Sequence, residues 1–242
     1  MILIIVPTYN ERENISLLAE KIFSLHVSNV HLLVVDDNSP DGTAAVAENL
    51  ANRYPIAVLK RQKKEGLGRA YCEAFRYALA VFPHATHIIQ MDADLSHDPA
   101  DIPLLLKTAH DADLVLASRY VPEGSIKNWH WMRKLVSRFG NVYARWALWL
   151  PYRDLTGGFK CWRREALAAL DLGAFSSLGY NFQIETTYQA HKKGFRIHEV
   201  PITFTERKTG TSKFNIWIIL ESFWNVLKMR FQKEQFFDIN NA

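Results

Sequence analysis

Residues 2–6 read "ILIIV", an unbroken apolar run. Such a run suits a parallel strand covered on both faces. After the polar "PTYNEREN", apolar residues return at Ile15, Leu18, Ala19, Ile22 and Leu25. That three-and-four spacing marks one face of a helix. "VHLLVV" (30–35) is a second strand and ends in Asp36 and Asp37. "NSPDGT" is a turn, and a helix runs from Thr43 to about Arg53. "IAVLK" (56–60) is a third strand, followed by "GLGRAYCEAFRYALAVF" as loop then helix. "THIIQMD" (86–92) is a fourth strand, a helix begins at Pro99, and "ADLVLASR" (112–119) is a fifth strand. Strands separated by helices predict right-handed crossovers and a largely parallel sheet between helices.

The second half changes character. Residues 129–153 are both basic and aromatic, and "DLTGGFKCW" (154–162) is turn-rich. Helices are expected over 165–170 and 182–193. "FRIHEVPITF" (195–204) is a strand, and its proline places it at a sheet edge. The segment 216–231 reads as an amphipathic helix. Asn215, Glu221, Ser222, Asn225 and Lys228 interrupt its apolar character, so it falls short of the ~18 clean residues of a membrane span. Peripheral anchor, subunit contact and core helix are all open to it. No repeat or low-complexity linker divides the chain. The expected organisation is one α/β domain over 1–213, then a C-terminal helix and tail over 214–242.

Composition narrows little. The chain has 242 residues, 48% hydrophobic and 22% charged, which is ordinary for a globular protein. The net charge of +4 is mild, and no nucleic-acid-binding motif accompanies it. Cys72 and Cys161 have no zinc spacing and fit free thiols in a reducing compartment. The apolar start lacks a basic leader and a cleavage site, so it reads as a buried strand.

The chemistry should lie beyond the carboxyl ends of the strands, where open parallel sheets bind ligands. "PTYNE", "DDNSPDG" and "DADLSHD" all fall there. In an extended segment Asp92 and Asp94 would point the same way. Two such carboxylates suit a hard divalent ion, magnesium or manganese. A glycosidase acid/base pair needs carboxyls roughly 5–9 Å apart across a sugar, which one strand end supplies badly. Asp94 or Ser96 could instead cap the helix that follows. His97 stands beside the pair. "KKEGLGRA" (63–70) lacks a phosphate-loop pattern and reads equally as a glycine turn. Arg119, Arg133, Arg138, Arg207 and Lys213 are anion-binding groups or a solvated basic face. Trp129, Trp131, Trp146 and Trp149, lying among charges, suit a membrane interface or helix packing.

"VPTYNERENI", "VVDDNSPDGTA", "EGLGRA", "MDADLSHDP", "ASRY", "RKLVSR", "DLTGGFK", "GYNFQIE", "EVPITFTER" and "GTSKF" occur in this order. Together they resemble the dolichol-phosphate (polyprenol-phosphate) mannose synthases of the family 2 glycosyltransferases, to about Phe214. The "PTYNE", "DDNSPDGT" and "DAD" set within them is shared by many family 2 enzymes; "DADLSH" with "RKLVSR", "DLTGGF" and "ERKTGTSK" is far more specific to the polyprenol-phosphate branch. The resemblance implies a GT-A fold with a Rossmann-like sheet. It implies inverting transfer of mannose from GDP-mannose to a polyprenyl phosphate. Pro7, Tyr9, Glu11, Val35, Asp37, Asp92 and Ala93 would hold the nucleotide. Asp92 and Asp94 would hold Mg2+ or Mn2+, with Ser96 reaching it through water. Asp94, Arg119, Arg207 and Lys213 would act at the reacting phosphates, and Arg133, Ser137 and Ser212 would take the acceptor phosphate. The expected setting is the cytoplasmic face of a membrane, reached by surface contact or through an anchoring partner subunit. A polyprenyl-phosphate glucosyltransferase using UDP-glucose, a surface-polysaccharide transferase and a non-catalytic nucleotide-sugar or membrane-binding module are the alternatives.

Overall fold

The computed structural model describes residues 1–175, 179, 181–206 and 216–231, with backbone only over 216–222. Its strands are β1 (Ile2–Thr8), β2 (Val30–Asp36), β3 (Ile56–Lys60), β4 (His87–Gln90), β5 (Leu114–Ser118), β6 (Ser125–Lys127), β7 (Lys160–Arg163), β8 (Ile197–Pro201) and β9 (Thr203–Thr205). Its α-helices are α1 (Arg12–Ser24), α2 (Thr43–Leu50), α3 (Leu67–Val81), α4 (Ile102–Thr108), α5 (Trp131–Leu148), α6 (Arg164–Ala168), α7 (Asn181–Lys192) and α8 (Ile216–Phe231). A seven-stranded sheet runs β3-β2-β1-β4-β7-β5-β8. Six strands are parallel, and β7 is antiparallel to both its neighbours. The chain steps from β1 to β2 to β3 on one side, then returns to place β4 on the other side of β1. Beyond the carboxyl ends of β1 and β4 lies a topological switch point.

Both faces of the sheet are covered, which is why its strands read as apolar runs. Leu3 and Ile5 of β1 point to one layer, shared with Phe75 of α3, Ala144 of α5 and Phe182 of α7. Ile4 and Val6 point to the other, shared with Leu18 of α1, Ala47 of α2 and Leu105 of α4. The mostly parallel sheet between helices is therefore as expected. Pro201 does end a strand at the sheet edge. Gly66, with φ 100°, opens α3, a backbone conformation that favours glycine.

Three expectations are corrected. The fourth strand stops at Gln90, so Asp92 and Asp94 stand on a turn and not on an extended segment. Met91 N–H still bonds Ile5 O, and the chain then turns through Leu95 at φ 60°. The turn-rich stretch 154–162 runs into β7, a four-residue strand too short to show a period. The single strand expected over 195–204 is two, β8 in the main sheet and β9 paired with β6.

The C-terminal helix packs on the core. Val226 and Met229 of α8 are buried in the layer that contains α5 and α7. Tyr143 Oη donates to Phe223 O at 2.9 Å, and Arg230 donates to Ala147 O at 3.1 Å. Among the described residues, no helix is long and apolar enough to cross a membrane.

Lys160 of β7 is the unusual core residue, 1% exposed. Its Nζ donates to Gln183 O, Thr186 Oγ1 and Thr187 Oγ1 at 2.7–3.0 Å. Burial pulls its pKa from 10.5 down to about 7, with Asp154 opposing the shift. Between those values the unfolded chain holds a proton that the folded chain has released. Stability should then rise with pH across that window, and the full cost should persist below about 7. Urea unfolding of wild type and Lys160→Met at pH 6 to 10 tests this. The stability of wild type relative to the variant should climb by up to about 1.4 kcal/mol per pH unit above neutrality; a flat difference would refute it.

Candidate active site

Three strand ends meet at the switch point. Pro7 of β1 pairs in register with Val35 of β2. Thr8 Oγ1 donates to Asp36 Oδ1 at 3.1 Å, and Asp36 also accepts from Ser39 N and Ser39 Oγ at 2.8 and 2.6 Å. Asp36 thus shapes the turn, which leaves Asp37 to face Arg61 in a buried ion pair. Burial raises the Asp37 carboxyl, against the pull of Arg61. Arg61 also bonds Glu73 at 2.8 Å and lies 3.5 Å from Glu65. Sequence reading missed Arg61. Its position directly after β3, at the same carboxyl edge as Asp37, was the available signal. Tyr9 lies exposed with the Lys64 ammonium 3.7 Å over its ring. Glu11 precedes α1, and its carboxylate accepts from Asn14 Nδ2 at 2.7 Å. Pro7, Tyr9, Glu11, Val35 and Asp37 therefore share one edge of the sheet.

Beyond β4, hydrogen bonds define the acidic turn. Asp94 Oδ1 accepts from Ser96 N at 3.1 Å, and His97 Nδ1 accepts from Asp92 N at 3.2 Å. His97 is buried between Phe159 and Phe204, with ring centroids at 5.0 and 5.4 Å. Burial lowers its pKa, with Asp92 and Asp94 opposing. A neutral imidazole clamping the turn is its place here. Ala93 is buried between the two aspartates. Asp92 keeps 35% of its side chain exposed.

The floor beside Asp92 is bare backbone. A Cβ added at Gly158 would lie 3.6 Å from Asp92 Oδ1 and 3.4 Å from Gln183 Nε2. Both carboxamide atoms of Gln183 and the hydroxyl of Ser96 are buried without a hydrogen-bond partner among the described residues. Unpaired buried polar groups are costly and mark places for water, ion or ligand. The oxygen-only set of Asp92, Asp94 and Ser96 fits a hard divalent ion that takes its remaining ligands from water and substrate. No group of three or more His, Cys, Asp or Glu side chains suited to a metal occurs among the described residues. An ion here would thus depend on substrate oxygens.

A basic and aromatic cluster stands opposite. Arg119 follows β5 and is buried. Its N, Nε and Nη2 donate to Asp154 at 2.9, 2.7 and 2.7 Å, and Nη2 also reaches Thr156 at 2.8 Å. Burial works against the Asp154 charge, yet Arg119 holds its carboxyl below the usual range. Trp129 is buried here, with Arg119 5.5 Å and Arg133 4.1 Å from its ring. Arg133 pairs with Glu206 at 2.6 Å. Ser137 accepts from Tyr120 Oη at 2.8 Å. The fold thus gathers Arg119, Arg133 and Ser137 around Tyr120, Trp129 and Phe204. Arg207, Ser212 and Lys213 lie outside the described residues. Asp154, Gly158 and Gln183 were not singled out from sequence as site residues, although all three sit inside quoted motifs.

The family model for Glycosyl transferase family 2 matches residues 3–171. The chain belongs to glycosyltransferase family 2. It is 44% identical over 227 residues to a polyprenol monophosphomannose synthase of Mycolicibacterium smegmatis, covering 93% of this chain and 84% of that one. It is 42% identical to an undecaprenyl-phosphate mannosyltransferase of Micrococcus luteus, covering 94% and 93%. These relatives bear out the resemblance read from the motifs. Among solved structures, glucosyl-3-phosphoglycerate synthase from Mycobacterium tuberculosis with phosphoglyceric acid superposes at TM-score 0.71 and 18% identity, covering 97% of this chain and 81% of that one. The same enzyme with Mn2+, UDP-glucose and phosphoglyceric acid gives 0.68 at 18% identity, with the same coverage. This family 2 glycosyltransferase accordingly has the GT-A fold, in a single domain.

Removing the partner of a buried charge is costly, whereas exposed pairs matter little. Asp154→Asn should lower the unfolding free energy by about 3–5 kcal/mol in urea denaturation. Asp113→Asn, whose partners Arg163 and Arg196 are 32% and 58% exposed, should cost less than about 1 kcal/mol.

Proposed function

We propose that this enzyme transfers mannose from GDP-mannose to a polyprenyl phosphate, with inversion at C1, at the cytoplasmic face of a membrane. The observation that carries the reading is the pairing of an oxygen-only acidic turn with an arginine cluster across one crevice, in a chain 42–44% identical to two polyprenyl-phosphate mannosyltransferases. The nucleoside would lie along Pro7, Tyr9, Glu11, Val35 and Asp37. Asp92 and Asp94 would hold Mg2+ or Mn2+, with Ser96 nearby. When bound, such an ion neutralises charge on the leaving diphosphate.

The acceptor explains why no general base is needed. A phosphate monoester has its second pKa near ~6 and is already a nucleophile at neutral pH. The difficulty is bringing one anion to another. Arginine forks suit phosphate oxygens, and Arg119 and Arg133 would offset that charge. The pairs with Asp154 and Glu206 hold both guanidiniums in place. Arg207, Ser212 and Lys213 belong to the same proposal by motif alone.

Membrane attachment has its own support. Trp131, Leu135, Phe139, Val142, Trp146 and Trp149 recur every three or four residues along α5 and its end, and all are exposed. Trp224 and Phe231 of α8 are exposed as well. An apolar stripe flanked by basic residues suits the headgroup boundary of a bilayer. Surface contact of this kind would serve with or without an anchoring subunit.

Purified enzyme, magnesium, a panel of labelled nucleotide sugars and a short polyprenyl phosphate test the chemistry. GDP-mannose should be the preferred donor, and UDP-glucose as the better donor would replace this reading. Asp94→Ala, still folded, should lose at least about a hundredfold in kcat; activity in EDTA equal to that in magnesium would remove the metal. Trp146→Ser/Trp149→Ser should weaken flotation with zwitterionic vesicles about tenfold or more.

A further inference from the structure

A cavity of about 460 Å3 lies between the segment after β5 and the middle of α5. Arg119, Arg138, Arg145 and Arg153 line it together with Asn141 and Val142, and no acidic side chain does. Arg119 is matched by Asp154. Among the described residues, the other three guanidiniums make no hydrogen bond or ion pair. Arg145 Nε is buried with no hydrogen-bond partner among the described residues. This sets them apart from Arg61, Arg133, Arg163 and Arg196, each of which faces a carboxylate. Four guanidiniums gathered around one carboxylate repel one another, and an entering anion would offset that repulsion.

The ligand should also carry an apolar part. Arg138 and Arg145 are two turns apart on α5, and Val142 between them belongs to the exposed apolar stripe. One ligand could place a phosphate among the guanidiniums and its chain along that stripe. Neither Asp92 nor Asp94 lines the cavity. An acceptor about to react must meet the donor diphosphate near those residues. The cavity borders the reaction site through Arg119, yet neither aspartate lines it, which suits a lipid phosphate held among Arg138, Arg145 and Arg153 and not consumed.

We propose that this cavity binds the phosphate of an anionic membrane phospholipid and so docks the enzyme in a defined orientation on its membrane. The inference rests on the membrane contact of α5 proposed above. Flotation of the Trp146→Ser/Trp149→Ser variant on zwitterionic vesicles reads that contact separately, because such vesicles offer the cavity no anionic lipid.

Calorimetric titration with dihexanoyl phosphatidylglycerol, below its micelle concentration, tests the cavity. Binding should be saturable and one-to-one, and absent for dihexanoyl phosphatidylcholine. Arg145→Gln and Arg153→Gln should each weaken it about tenfold. Arg153 is exposed, so its variant keeps the test valid if Arg145→Gln unfolds. Lys134→Gln removes an exposed charge from the same helix outside the cavity and should change binding less than about twofold. Unsaturable binding, or equal binding by the arginine variants, would overturn the proposal. Glycerol phosphate binding as tightly as the lipid would also overturn it, in favour of a soluble phosphate. Geranyl phosphate displacing the phospholipid at lower concentration would make the cavity part of the acceptor site and overturn the phospholipid identity.

Discussion

Burying the whole Arg119 guanidinium in this core calls for a carboxylate to meet it, and Asp154 answers that need. Much of the site hangs on the pair. Asp154 N and Arg153 N bond the carboxylate of Glu199 on β8 at 2.9 and 2.8 Å. Leu155 N and Thr156 N bond Asn141 Oδ1 on α5 at 2.7 and 3.2 Å. The edge strand, the long basic helix and the end of β5 are thereby tied to one short loop. That loop leads into Gly157, which faces Ala117 O and Asp154, and Gly158, which sets bare backbone beside Asp92. Charge, helix and floor are positioned by one buried interaction, and such pairs act through geometry more than through net stability.

The crevice divides by sign. Carboxylates stand at the ends of β2 and β4, and guanidiniums stand after β5 and along α5. Arg61 is the exception on the acidic side, and there it is balanced by Asp37, Glu65 and Glu73. A site shared by two phosphate-bearing substrates needs such a division, because one phosphate can be met through a cation on carboxylates and the other directly by arginine. His97 belongs to the scaffold of this arrangement. Its burial and its bond to Asp92 N keep the turn that carries the acids in shape.

The helix α5 has three different faces. Asn141, Ala144 and Ala147 are buried against the domain. Leu135, Phe139, Val142 and Trp146 are exposed. Arg138 and Arg145 line the cavity alongside. No single amphipathic axis describes it. The helix α8 lies beside it, with Val226 and Met229 turned inward and Trp224 outward. One pair of helices thus completes the core and presents aromatic rings to the outside.

The sequence by itself determined the local elements and the order of the strand-end clusters. Long runs such as 2–6 and 30–35 carry their own signal, because a strand covered on both faces must be apolar throughout. Ile15, Leu18, Ala19 and Ile22 marked a helix face that is buried as expected. The motifs also determined the family. The tertiary structure alone decided that β7 inserts antiparallel between β4 and β5, because four residues carry no readable period. It decided that the two aspartates sit on a turn, since a strand end depends on where its neighbour stops pairing. It decided which carboxylate meets each arginine. Asp37 and Arg61 are 24 positions apart, Arg119 and Asp154 are 35, and Arg133 and Glu206 are 73. Ion pairs over such separations have no local pattern, because closing the chain around the sheet is what brings the charges together.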